Sequence, residues 1–110
     1  MAFEIVLTSD FKKELKQIAK KHKGILKDLN ALIEELEENP IKGTDLGQNL
    51  YKIRLAISGT NKGKSGGARI ITYVLIISET VYLTDIYLKS EHDTVDVALI
   101  IQRLKNNGLL

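Results

Sequence analysis

The chain has 110 residues, 44% of them apolar and 27% charged, with a formal net charge of +2, one proline and no cysteine. That suffices for one modest core, so a single domain over residues 1–110 is expected. The lack of cysteine excludes disulfide staples, thiol catalysis and cysteine-ligated zinc. The segment Met1 to Thr8 lacks a basic leader, and the apolar run from Ile70 to Ile77, broken by Thr72, falls far short of the roughly 20 residues of a membrane helix. No signal peptide, no membrane partner and a cytoplasmic location are the expectation.

Phe3, Ile5 and Leu7 alternate with Glu4 and Val6 and predict a short first strand. Ser9-Asp10 then reads as a helix start, followed by Phe11, Leu15, Ile18, Ala19 and His22 at helical spacing, with lysines on the other surfaces. Gly24 is the predicted stop of this basic helix. Leu26, Leu29, Leu32, Ile33 and Leu36 predict a second helix ended by Asn39-Pro40, so the two form a hairpin. Glu34, Glu35, Glu37 and Glu38 crowd the end of that helix, where the dipole disfavours them, and the lysine-rich neighbour is expected to offset them.

A polar connection leads to three strand-like runs, Leu50 to Ile57, Ala68 to Ile77 and Val81 to Leu88. Ser78-Glu79-Thr80 is short enough for a hairpin, whereas Ser58 to Gly67, with four glycines, reads as a long hairpin loop. Ser90-Glu91-His92-Asp93 resembles a capping box, and Val97, Ile100, Ile101 and Leu104 predict a last helix. The predicted class is α+β: a small antiparallel sheet with the N-terminal helical hairpin on one face, and a C-terminal helix. Alternation points Tyr51, Ile53, Leu55 and Ile57 to an apolar face and Lys52 and Arg54 to a cationic one.

Charge is segregated. No acidic residue occurs from Leu46 to Ser78, where Lys52, Arg54, Lys62, Lys64 and Arg69 all lie. Such a cluster suits a polyanion and is equally found as a solvated basic face. Gly-Lys-Ser at Gly63 to Ser65 is not a P-loop, because three residues rather than four separate Gly59 from Gly63 and a strand follows rather than a helix. Neither histidine has carboxylates at ligand spacing, so no metal site is predicted. His22 reads as a half-buried structural residue, and His92 as a capping or surface residue or else an acid-base or RNA contact.

With neither a nucleophile triad nor a carboxylate pair, a lysine, arginine and tyrosine cleft can still cleave RNA, because the substrate brings its own 2′-hydroxyl. The protein orients it in line, stabilises the charge on the phosphorus and assists proton transfer. Arginine suits the charge, and a lysine among cations can act as a base contributing ~100- to 10,000-fold.

Tyr51-Lys52-Ile53-Arg54-Leu55, the stretch from Gly63 to Ile71 and the segment from Ile86 to Glu91 together resemble the RelE/ParE toxin superfamily. The lysine-serine-glycine-glycine hairpin ending in an arginine is most similar to its HigB-like branch. This resemblance, covering nearly the whole chain, implies the toxin of a type II toxin-antitoxin system, a ribosome-dependent messenger RNA interferase that uses no metal or cofactor. It implies as partners the ribosome, messenger RNA and a cognate antitoxin with a helix-turn-helix domain, with DNA reached only through the antitoxin. Lys52, Arg54 and Arg69 match the family's basic positions, and Lys89 falls near the basic residue that follows the last strand. RelE-type members continue with an arginine there and carry a tyrosine near the C-terminus; those places hold Ser90 and Asp96. Tyr87, on the face of Asp85 and Lys89, is a possible substitute, and packing is its alternative role.

Lys62 and Lys64 in the loop and Lys12, Lys13, Lys16 and Lys20 on the first helix are the expected RNA-gripping residues. Arg69 is expected to be a solvent-facing cation. Two other functions remain open: a ParE-like gyrase inhibitor, and an RNA- or ribosome-binding module without catalysis.

Overall fold

The computed structural model describes residues 2–59, 66–92 and 94–110. Its elements are β1 (Glu4–Leu7), α1 (Ser9–Lys21), α2 (Ile25–Glu38), β2 (Thr44–Gly47), β3 (Leu50–Leu55), β4 (Ala68–Leu75), β5 (Thr80–Leu88) and α3 (Val97–Asn106). They form an α+β fold with one five-stranded sheet in the order β1-β5-β4-β3-β2. No helix among the described residues is long and apolar enough to cross a membrane.

The sheet is mixed rather than wholly antiparallel: β1 runs parallel to β5, pairing Glu4 with Thr80 and Leu7 with Leu83. Returning the chain as a parallel neighbour requires a long crossover, which the helical hairpin and the meander supply. At the end of β1, Thr8 donates its hydroxyl to Leu83 O at 3.1 Å and accepts from Phe11 N at 3.3 Å. The helix cap is therefore Thr8, one residue before the expected Ser9, because this hydroxyl serves both the helix and β5.

Gly24 is not a left-handed stop. Its φ is −62°, and His22 closes α1 by donating its backbone N–H to Ile18 O. A side chain at Gly24 would collide with the backbone of Ser58, so glycine there permits the close approach of the α1-α2 corner to the end of β3. Asp28 completes that contact, accepting from Ser58 N at 2.7 Å and Ser58 Oγ at 2.5 Å. At the other end of α2, Glu35 pairs at 2.6 Å with Lys42, in the segment leading to β2.

The expected polar connection contains β2, which pairs antiparallel with β3 from Thr44↔Lys52 to Gly47↔Leu50 through a bulge. Leu46 is the strand's single apolar residue, too little for an alternating signal. The turn that follows places Gln48 and Asn49 at φ of 53° and 68°. At the opposite hairpin Ile76 and Ile77 leave β4 and stand exposed at the tip, rather than continuing the predicted strand.

Two apolar clusters sandwich the sheet. Phe11, Ile18, Ile25, Leu29, Leu32 and Leu36 of the hairpin pack on Ile53, Ile70, Val74 and Ile86. On the other face Ile100, Ile101 and Leu104 of α3 cover Leu50, Ile71, Tyr73 and Tyr87. The second sheet face is therefore cationic only where α3 leaves it open. Within β5 the register shifts between Ile71 and Thr72 of β4, leaving Thr84 as an extra residue that donates its hydroxyl to Ile71 O at 3.2 Å. This bulge inverts the alternation, so Leu83 and Ile86 face the hairpin while Tyr82, Asp85 and Tyr87 face α3.

Candidate functional site

Directly paired residues of neighbouring strands share a face. Arg54 on β3 lies opposite Arg69 on β4, and Arg69 opposite Tyr87 on β5, so the three make a single row across the sheet. The adjacent row is Lys52, Ile71 and Asp85. Lys52, Arg54, Arg69 and Tyr87 are thus brought together, as their positions in the sequence predict.

The exposure of Arg69 is not what the sequence predicts. Arg54 is open to solvent, but Arg69 is only 1% exposed and Tyr87 8%. Arg69 is therefore not a solvent-facing cation. The strand from Ala68 to Val74 is buried on both faces, between the hairpin and the α3 side, and carries the arginine inside with it. Its Nη1 donates to Ala68 O at 3.2 Å.

After β5 the chain folds into a tight turn in which Glu91 N and His92 N both donate to Leu88 O, at 3.0 and 3.3 Å. The turn lays the exposed His92 ring on Tyr87, with centroids 4.2 Å apart and planes 18° from parallel. His92 is therefore not part of a helix cap. Asp96 caps α3 instead, accepting from Leu99 N at 3.0 Å, and Asp93 lies outside the described residues. Lys89, exposed at the start of this turn, donates its backbone N–H to Gly67 O at 3.0 Å, which ties it to the strand carrying Arg69.

The stack borders an open cavity of about 370 Å³ lined by Lys13, Glu14, Asp85, Tyr87, His92 and Arg103, among others. Sequence reasoning missed Arg103. Its Nη2 donates to both oxygens of Asp85 at 2.6 and 2.7 Å, and its Nη1 to Asp10 at 3.1 Å, which joins α3 to β5 and to the first turn of α1. Burial alone would lower its pKa, but the hydrogen bonds and charges of Asp85 and Asp10 outweigh it and hold the guanidinium above its ordinary value. A signal existed: Arg103 sits three residues after Ile100, at the border of the apolar stripe.

Lys13 reaches the cavity, while Lys12, Lys16 and Lys20 stand exposed along α1. Lys62 and Lys64 lie outside the described residues. Among the described residues no three His, Asp or Glu side chains converge on a common point as metal ligands do. The row places an exposed guanidinium two strands from a stacked imidazole and phenol, groups of the kinds that bind a phosphodiester and move protons.

The family model of the RelE toxin of the RelE/RelB toxin-antitoxin system matches residues 9–103. The chain belongs to the RelE toxin family. It is accordingly a toxin of a toxin-antitoxin system, with a cognate antitoxin as its partner. Two solved structures share the RelE fold. A double arginine-to-alanine mutant of E. coli toxin RelE in the free state is 16% identical, with a TM-score of 0.60 over 97% of this chain and 98% of that one. The isolated E. coli RelE toxin is 20% identical, with a TM-score of 0.57 over 94% and 99% of the two chains. Comparison with curated protein sequences gives no match.

Proposed function

We propose that this RelE-family toxin is a ribosome-dependent messenger RNA endoribonuclease of the HigB-like kind, and that the row Arg54, Arg69 and Tyr87, with His92 stacked on it, is its active site. The observation that carries the reading is this row, because it lines up the exposed Arg54, the buried Arg69 and Tyr87 across the sheet, with the exposed His92 imidazole stacked at its end.

In the reaction the 2′-hydroxyl gives up its proton as its oxygen bonds to phosphorus, and the bond from phosphorus to the 5′-oxygen breaks as that oxygen takes a proton. The products are a 2′,3′-cyclic phosphate and a 5′-hydroxyl. Arg54 binds the non-bridging oxygens through its planar donors, and Arg69 adds positive potential from beneath. His92 carries a proton, held in orientation by Tyr87, since one imidazole nitrogen accepts while the other donates. Lys52 and Lys89 flank the scissile phosphate, and Lys12, Lys13, Lys16, Lys20, Lys62 and Lys64 extend the cationic surface that grips ribosomal RNA.

Addition of the purified toxin to a translating extract tests this directly. Cleavage of ribosome-bound messenger is the expected result. Intact messenger together with inhibited DNA supercoiling would favour a ParE-like gyrase inhibitor; ribosome binding with intact messenger would favour a non-catalytic module.

A further inference from the structure

The open cavity beside the Tyr87-His92 stack has a neighbour. Asp85, Tyr87, His92 and Arg103 line both, and on their α3 side lies a second cavity, of about 200 Å³. Its remaining walls are largely apolar: Ile71 of β4, with Val95, Leu99 and Ile100 at the start of α3. Leu99 is 57% exposed, so one broad aliphatic wall stands in water at the mouth of this pocket. An apolar pocket with a few polar groups, next to a candidate reaction centre, is the usual form of a small-ligand subsite.

The polar groups it offers are mainly acceptors. Asp96 accepts from Leu99 N with Oδ1, and Asp85 accepts from Arg103 Nη2 on both oxygens. A carboxylate has about four lone-pair sites, so each keeps acceptor capacity beyond these bonds. Arg103 turns its Nη atoms to Asp85 and Asp10, and its Nε is buried. Thr94, whose hydroxyl donates or accepts, adds no preference. With two carboxylates to one guanidinium, the pocket disfavours a phosphate and suits a neutral ligand that brings N–H donors.

We propose that this pocket holds one messenger base beside the scissile bond and favours adenine, cytosine and guanine over uracil. The exocyclic amino group of the favoured bases donates to Asp85 or Asp96 while the ring lies against Val95 and Leu99. Uracil instead turns a carbonyl oxygen to the same carboxylates, which leaves two acceptors facing each other. Single-stranded RNA is commonly read this way, by a base splayed from its neighbours and bonded along its edge. That the base lies next to the cut rests on the catalytic reading above, because Tyr87 and His92 line the pocket; the preference for an amino group rests on Asp85 and Asp96 alone.

Two measurements on the full-length toxin test the proposal. In a translating extract, messengers randomised on both sides of one cut are sequenced after cleavage. At one flanking position uracil is expected to be cut about tenfold or more slowly than the other three bases. Leu99→Trp, at an exposed helical position, fills the pocket and is expected to shrink that ratio to below about threefold. Equal cutting of all four bases by the parent protein overturns the proposal, as does an unchanged ratio in the variant. The second measurement follows the methyl resonances of Val95 and Leu99 as a trinucleotide of deoxyuridine, or the same with its central base replaced by adenine, cytosine or guanine, is added. The replaced forms are expected to shift these methyls at about tenfold or more lower concentration; no shift with any of them, or an equal response to deoxyuridine, overturns the proposal. A toxin that proves not to cut messenger still reports these shifts, so failure of the catalytic reading is distinct from failure of this one.

Discussion

Arg103 and Asp85 form a two-oxygen grip across 18 residues of sequence, with Nη2 at 2.6 and 2.7 Å from the carboxylate oxygens. The pair joins α3 to β5, and Asp10 extends it to α1. Arg103→Ala leaves two half-exposed carboxylates facing each other, so it is expected to cost about 1–3 kcal/mol in urea unfolding. Arg103→Lys is expected to recover less than half of that, since an ammonium lacks the planar fork. A fully stable Arg103→Ala protein would mean that α3 is held by its apolar stripe alone.

Arg69 separates packing from charge. Arg69→Ala removes a side chain that is 1% exposed and is expected to lower stability by about 2–4 kcal/mol through the cavity it leaves. Arg69→Met keeps most of the volume, so it is expected to be more stable than Arg69→Ala while losing messenger cleavage. The check is unfolding and cleavage measured on both variants; an active Arg69→Met protein would remove Arg69 from the site.

Much of this molecule is legible in its sequence, and the failures share a cause. The helical hairpin, the meander β3-β4-β5 and α3 follow from periodicity, and the alternation of β3 assigns Ile53 to the hairpin side and Lys52 and Arg54 to the other. What periodicity misses depends on contacts between distant segments: the parallel partner of β1, the Thr84 bulge that re-aims Tyr82 relative to Asp85, and the Arg103 grip. Burial of Arg69 could have been read. An apolar run as continuous as Ala68 to Leu75 signals a strand covered on both faces, and an arginine inside it shares that cover.

The Tyr87-His92 stack assigns different roles to a ring and a hydroxyl. His92→Ala is expected to reduce cleavage by ~100- to 10,000-fold while lowering stability by no more than about 1 kcal/mol through the lost stack. Tyr87→Phe preserves the stack and is expected to keep most of the activity, whereas Tyr87→Ala loses it. Single-turnover cleavage rates check the order; a Tyr87→Phe protein as inactive as His92→Ala would make the phenol a proton carrier.

Burial, and then the neighbouring Tyr82, push the pKa of Tyr73 above 10.0. A folded pKa above the unfolded one means a contribution to stability that is complete below pH 10 and falls as pH rises through the folded value. Tyr73→Phe is expected to flatten the alkaline part of the stability profile. A slope unchanged between the two proteins would assign it to other groups.

The central claim is that the RNA's own 2′-hydroxyl attacks the phosphate at the Arg54-His92 site, and a programmed ribosome carrying a messenger with a single 2′-deoxy substitution at the mapped cut tests it most directly. The account predicts no cut at that position, normal binding of the toxin to the ribosome, and 2′,3′-cyclic phosphate and 5′-hydroxyl ends on the unmodified messenger. Cleavage of the 2′-deoxy messenger at the same bond and at an undiminished rate would contradict it.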